Sequence, residues 1–383
     1  MKYFYKLGHQ GELGVSEYQA LTSEQVLESN HDWFLADNKV NVNATGSLVF
    51  GGTILGQIDL SSFDPSSRLT NEQILELYKQ IERFVKPANT ENELKKVGVT
   101  MPGFFDKRFL NYLKDAGCKK VNLLAPGVIP TIGNLKNTKV WLAIFIFQKS
   151  LVVGKIETYF NQEFWGDLDM DLPEKDMKRG IINLKLARTL MNLTTKRVVW
   201  DPFCGLGRNL VAGLDLKDEF VASDIDPSCL PGANKNLEFA AEYFHKFGFN
   251  ELARRGSIFS LDATRLDRIK DQDFANLAIV TEGFLGYNFT RKPTRQSILE
   301  QFEEVKQMWK KVLGASNYLG IKEVVFCLPF YNFEGQTLLP TFLESLINGT
   351  NYQYQKLFGE QKYLTYARKD AFVGHFILKV CLN

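Results

Sequence analysis

The stretch Val198-Val199-Trp200-Asp201-Pro202-Phe203-Cys204-Gly205-Leu206-Gly207-Arg208 reads as an apolar strand that ends in an acid and passes through a glycine turn into a helix. Gly205 and Gly207 let the backbone come close to a ligand, and Asp201 at the strand end suits a cationic or hydroxylated group. Taken alone, a G-x-G also fits a plain strand-to-helix turn. The second element decides between these readings: Val221-Ala222-Ser223 is a strand ending in Asp224-Ile225-Asp226, and an acid about 20 residues after the first turn accepts hydrogen bonds from ribose hydroxyls. A dinucleotide site would offer G-x-G-x-x-G, whereas the third position here is Leu210. The charge of Asp201 would repel a pyrophosphate and welcome an ammonium group, so the site disfavours NAD.

Two further strand ends carry acids. Asp262, followed by Ala263 after the strand at 257–261, either caps a helix over residues 263–269 or places a carboxylate at an adenine amino group. The fourth strand ends Ile279-Val280-Thr281-Glu282-Gly283-Phe284, where an acid, a glycine and an aromatic side chain converge.

The elements that must position these residues alternate between strand and helix. From residue 179 onward, apolar strands at 197–200, 220–223, 256–261, 277–281 and 323–328 are separated by helical patterns, among them 231–247 and 296–312, which predicts a mostly parallel sheet. The segments 363–368 and 372–380 read as a closing antiparallel hairpin. The first half has a different rhythm. It shows strands at 2–7, 47–55, 96–101, 121–124, 140–147 and 151–158, with helices at 16–27, 70–84 and 106–117, and it predicts a small α+β sheet. Residues 161–176, acidic and holding Gly166 and Pro173, read as linker.

The length of 383 residues favours two domains. Their expected extents are 1–165, a linker at 166–178, and 179–383. The 45% hydrophobic and 23% charged composition is that of a folded chain. The longest apolar run, residues 140–147, is far short of the roughly 20 residues of a membrane helix, and the start lacks a signal-peptide core, so a cytoplasmic protein without membrane contact is expected. Five cysteines without a C-x-x-C pair, and only four histidines, argue against disulfide scaffolds and structural metals. The net charge of +2 leaves any RNA binding to local patches, and Lys95-Lys96, Lys107-Arg108 and Lys119-Lys120 read pair by pair as solvated surface charges.

The motifs Asp201-Pro202-Phe203-Cys204-Gly205-Leu206-Gly207, Asp224-Ile225-Asp226 and Asp262-Ala263 resemble the cofactor motifs of class I S-adenosylmethionine-dependent methyltransferases. Asp176-Met177-Lys178-Arg179-Gly180-Ile181-Ile182-Asn183, the tail Tyr366-Ala367-Arg368-Lys369-Asp370-Ala371-Phe372-Val373-Gly374, and Leu7-Gly8 with Phe50-Gly51-Gly52-Thr53 are similar to the tRNA (guanine-N2)-methyltransferases of the guanosine-10 type. The resemblance implies a Rossmann-like α/β domain behind a ferredoxin-like and THUMP-like RNA-binding region. It implies S-adenosylmethionine as cofactor, held by Asp201, Phe203, Gly205, Gly207, Asp224, Ile225, Asp262 and Ala263. It also implies tRNA as substrate, Thr281, Glu282 and Phe284 as catalytic residues, and room for a small activating protein subunit. One departure stands out: the family carries Asp-Pro-Pro-Tyr at the fourth strand, where this chain has Thr281-Glu282-Gly283-Phe284. The alternatives are a chain that binds RNA without turnover, and an enzyme acting on adenine or cytosine amino groups.

Overall fold

The computed structural model describes residues 2–382 except 62–68, 89–95, 103, 104, 106, 125–127, 129, 131, 132, 135–137, 139, 177–180, 269–273, 275 and 290. Lys95 and the Met177-Lys178-Arg179-Gly180 part of the family-like segment therefore lie outside the described residues. The chain divides into two compact units. One comprises residues 1–11, 24–43 and 48–163; the other comprises 12–23, 44–47 and 164–383.

The first unit is built on one sheet of eight strands: β1 (Tyr3–Leu7), β2 (Glu28–Ser29), β3 (Trp33–Ala36), β4 (Leu48–Asp59), β5 (Lys96–Thr100), β6 (Lys120–Leu123), β7 (Val140–Phe147) and β8 (Ser150–Tyr159), in the order β2-β3-β1-β4-β8-β7-β5-β6. Its pairs are antiparallel except β5 with β6 and β5 with β7, which are parallel. The strands at 96–101, 140–147 and 151–158 are found within a residue or two of their expected places. The sheet is nevertheless a single large one rather than a small one, because the long β4 pairs with β1 on one side and β8 on the other. Alternation of side chains gives it two apolar faces. One packs Leu77, Tyr78, Ile81, Phe109 and Leu113 of two helices against Val97, Val99 and Leu142. The other centres on Phe4, Phe50 and Phe145, with Trp33 stacked on Phe145 at 3.8 Å.

Helix α1 (Gly11–Thr22) precedes β2 in the chain but belongs to the second unit. The sequence places this helix at 16–27, because Gly11 and Gly14 look like loop residues. Burial overrides that propensity, since Leu13 to Tyr18 are all buried. Within α1, Glu17 is fully buried and accepts hydrogen bonds from the Gly46 amide (2.8 Å), the Ser47 amide (2.9 Å), the Ser47 hydroxyl and Asn192 Nδ2 (2.6 Å). Burial pushes the Glu17 carboxyl above its usual range, and these four donors oppose the rise.

After α2 (Asn71–Ala88) and α3 (Phe109–Asp115) of the first unit, the expected linker is instead helix α4 (Gln162–Asp171). Its acidic surface hides an anchored face of Phe164, Trp165 and Leu168, and the Arg188 guanidinium lies 4.4 Å over the Trp165 ring. Arg188 is itself fully buried and pairs with Asp215 at 2.6 Å.

The second unit continues with α5 (Leu184–Asn192), β9 (Val198–Asp201), α6 (Arg208–Gly213), β10 (Glu219–Asp224), α7 (Leu230–Lys246), β11 (Arg254–Ser260), β12 (Leu277–Val280), α8 (Arg295–Tyr318), β13 (Glu323–Phe333), β14 (Gln336–Leu338), α9 (Leu343–Ile347), β15 (Tyr352–Tyr354), β16 (Tyr363–Tyr366) and β17 (Val373–Leu382). The sheet order is β11-β10-β9-β12-β13-β17-β15, with β9 to β13 parallel and β17 antiparallel to both β13 and β15. β16 and β17 form the expected hairpin. Alternate residues face opposite sides: Trp200, Val221 and Ile279 pack with Val305, Trp309 and Val312 of α8, while Phe220 lies beside Gly213 of α6 and Met191 of α5. This is a Rossmann-like α/β fold with helices on both faces. The chain runs from β9 to β10 and β11 on one side and then crosses to β12 on the other, so the crevice at the carboxyl ends of β9 and β12 is the place where such a sheet binds ligands.

Candidate functional site

β9 delivers Asp201 to that crevice, and the following turn is shaped by two left-handed residues, Gly205 (φ +47°) and Gly207 (φ +77°), which caps α6. Asp201 is 1% exposed. Its Oδ1 accepts from the Phe203 amide (3.0 Å), its Oδ2 accepts from Asn209 Nδ2 (2.9 Å), and the Thr281 side chain also hydrogen-bonds to it. Burial pushes the Asp201 carboxyl up to about 6, opposed by these donors and reinforced by the charge of Asp224. Asp224 ends β10 and accepts from the amides of Gly205 (2.9 Å) and Asp226 (3.0 Å). One donor on each oxygen leaves lone pairs for ligand hydroxyls. Beside it Ile225 is 67% exposed.

The loop after β12 is tied to the same turn. Thr281 Oγ accepts from the Gly283 amide at 2.9 Å while reaching Asp201, so one hydroxyl links the first and fourth strand ends. Gly283 has φ +73°. Proline is locked near φ −65°, so this backbone cannot carry the family's Asp-Pro-Pro-Tyr, and the departure extends to the main chain. Further along, Gln301 Nε2 donates to the Tyr287 carbonyl (2.6 Å) and the Tyr331 hydroxyl donates to the Leu285 carbonyl (3.3 Å), which pins the loop to α8 and β13.

These elements enclose a cavity of about 1100 Å³. Asp201, Phe203, Gly205, Asp224, Ile225, Glu282 and Phe284 all line it. Thr281 lies behind the wall, fully buried. Gly207 stands off against Ala233. Asp262 caps the 3-10 turn at 263–268, its Oδ1 accepting from the Thr264 amide and hydroxyl, both at 2.8 Å, and Ala263 is in the core. Neither Asp262 nor Ala263 is among the cavity-lining residues.

Compared as a whole chain, the protein matches no family model and no curated protein. Among solved structures it is similar to TrmN from Thermus thermophilus, with 16% identity, 99% of both chains covered and a TM-score of 0.48. It is also similar to a possible methylase from Clostridium difficile 630, with 14% identity, 98% of this chain and 97% of that chain covered and a TM-score of 0.42. NSun6 from Pyrococcus horikoshii with SFG shares 12% identity over 55% of each chain, with a TM-score of 0.35.

Several cavity residues escape a reading of the sequence. His375 on β17 approaches Glu282, with Nε2 2.6 Å from Oε1. Arg208, in the first turn of α6, donates from Nε to the Ile182 carbonyl (2.7 Å) and pairs with Asp169. Burial pulls its guanidinium down to about 10, with the Glu282 charge opposing, so it remains a cation at neutral pH. Asn183 caps α5 and donates from Nδ2 to the Tyr366 hydroxyl at 2.5 Å. The aromatic lining includes Tyr287, Phe289, Tyr331 and Phe372. The one available signal for His375 is a titratable residue inside the apolar strand 373–382, and nothing in the chain order places it beside residue 282. Among the described residues no group of three or more metal-ligating side chains converges, and no helix is long and apolar enough to cross a membrane.

The buried carboxyl yields a stability prediction. Asp201 is held at about 6 in the folded chain against an ordinary value of 3.8, so the folded state holds a proton that the unfolded chain has released. The contribution is fully present below 3.8 and is lost as pH rises through about 6. Asp201→Asn never ionises, and Asn209, whose Oδ1 is buried without a partner, can turn its amide to accept from the new side chain. In urea unfolding, the stability of the variant relative to the parent should rise by about 3 kcal/mol between acid and neutral pH. A difference that does not change with pH would mean that this carboxylate keeps its hydration in the folded chain.

Proposed function

We propose that the chain transfers a methyl group from S-adenosylmethionine to an exocyclic amino group of a base in RNA, with guanine N2 in tRNA as the target. The observation that carries this reading is the convergence of Asp201, Asp224 and Glu282, from three strand ends, on one aromatic-lined cavity at the switch point of the sheet. The residues present fit the cofactor. Asp224 keeps lone pairs for ribose hydroxyls, exposed Ile225 offers an apolar surface for a purine, and Gly205 opens the turn, since a side chain built there would meet nothing within 4 Å. Asp201, already holding three donors, places negative charge beneath the turn, which attracts an ammonium group. S-adenosylmethionine bound there supplies an electrophilic methyl group.

The remaining work falls to the chain. An exocyclic guanine amine is a weak nucleophile because its lone pair is delocalised into the ring, so it must be held in line and relieved of a proton. Glu282 supplies the acceptor. Phe284, whose ring meets Tyr287 edge-on at 5.0 Å, offers a face for a base turned out of its stack, worth about 1–3 kcal/mol. Arg291 and Arg368 on the cavity wall suit the phosphates on either side. In this reading the first unit adds RNA affinity.

The test is nucleoside mass spectrometry of tRNA, drawn from cells lacking the protein, after incubation with the chain and S-adenosylmethionine. A methylated guanosine that appears only with both is the expected result. Calorimetric binding of the cofactor with no new methylated nucleoside would defeat the transfer reading.

A further inference from the structure

The contact between His375 and Glu282 is the strongest feature of the cavity that no sequence motif accounts for. β17 is paired with β13 on one side and β16 on the other, which sets His375 opposite Pro329 and Tyr366. From there its Nε2 lies 2.6 Å from Glu282 Oε1, with the two side chains only 16% and 23% exposed. The other ring nitrogen, Nδ1, is buried with no hydrogen-bond partner. A donor buried there would leave a proton unpaired, whereas a bare acceptor costs less, so the ring proton belongs on Nε2 and is donated to Glu282. Oε1 is thereby held by the imidazole, while Oε2 has no hydrogen-bond partner among the described residues.

We propose that His375 is the positioning residue of this site: it clamps one oxygen of Glu282 so that the other faces the target amine and takes up its proton. This rests on the methyl-transfer reading above. The long, flexible glutamate would otherwise sample several rotamers, and the imidazole restores the fixed aim that one fewer methylene gives an aspartate. The surroundings agree. The Tyr366 ring meets the imidazole at 5.8 Å and 61°, and Arg208 adds a cation to the neighbourhood of Glu282.

The experiment has two arms on the full chain. In single-turnover methylation, His375→Ala should slow the chemical step by about 10- to 100-fold, with KM for tRNA and cofactor affinity nearly unchanged, because only the aim of Glu282 is lost. His375→Gln carries an amide nitrogen near the place of Nε2 and should recover to within about fivefold of the parent. In a Glu282→Gln background, His375→Ala should add less than about twofold, since the two residues act as a unit. A glutamine variant as slow as the alanine variant, or costs that multiply in the double variant, would overturn the assignment. The second arm does not depend on activity. Nitrogen-15 spectra of the four histidines, with His375 identified by loss of its signal in His375→Gln, should show the proton on Nε2 and a bare Nδ1. The opposite tautomer would sink the pairing. A parent chain that binds cofactor but methylates nothing would overturn the proposed function, and the spectrum would still judge the pairing on its own.

Discussion

Replacing Glu282 by glutamine is expected to cut single-turnover methyl transfer by about 100-fold while leaving cofactor affinity nearly unchanged. The substitution preserves shape, and its amide oxygen can still accept from His375 Nε2, now 2.6 Å from Oε1. What disappears, in the proposed mechanism, is the charge that takes up a proton as the amine becomes cationic, an interaction that strengthens only as the new bond forms. Loss of such an interaction lowers kcat without touching ground-state binding. Asp224 and Ile225, on a different strand end, keep their contacts, so calorimetry with S-adenosylmethionine serves as the internal control. A rate within about threefold of the parent, under 1 kcal/mol in the barrier, would transfer the role to the backbone carbonyl of residue 282.

Gly283→Ala should be the most damaging small substitution in the loop. The backbone there sits at φ +73°, and a Cβ would fall 2.4 Å from Cζ2 of Trp309, a fully buried ring in the core under α8. Left-handed strain and overpacking each cost about 1–3 kcal/mol, so unfolding stability should drop by about 2–6 kcal/mol. Because the neighbouring residues are Glu282 and Phe284, methyl transfer should fall with it. Gly205→Ala is the natural comparison. It shares positive φ, at +47°, yet a Cβ there meets nothing within 4 Å, so only the strain applies. Equal losses for the two variants in urea unfolding would show that the Trp309 contact carries no weight.

The second unit was legible because its strands are short, apolar and separated by helices, and because each acid falls at a strand end, where parallel topology gathers the carboxyl termini. That Asp201, Asp224 and Glu282 stand at strand ends lining one cavity could be read from the order of strands and helices. His375 could not, since a β17 inserted antiparallel between β13 and β15 is a long-range pairing that no local pattern encodes. Asp262 shows the opposite limit: a residue type suited to two roles, for which the structure displays the capping geometry. The helix at 162–171 was obscured by acidic residues on its solvent side, and α1 by glycines whose cost is outweighed by burial. The unbroken eight-stranded sheet depended on β4 pairing along both edges, which composition cannot reveal.

The carboxylate of Glu17 and the amide of Asn192 are 175 residues apart in the chain and 2.6 Å apart in space. A ribosome releases α1 long before α5 exists, at about 5–20 residues per second, so this helix waits many seconds with its apolar side chains unsatisfied. Glu17 is ordinarily ionised and hydrated during that wait. Only when Asn192 emerges can the last donor be supplied, which offsets part of the cost of dehydrating the carboxylate. Synthesis therefore runs in one direction while folding of the second unit closes back on its own beginning, a contact of high sequence separation of the kind that slows folding. A circularly permuted chain that starts near residue 164 and carries residues 1–163 at its end would fold in a different order around the same crevice.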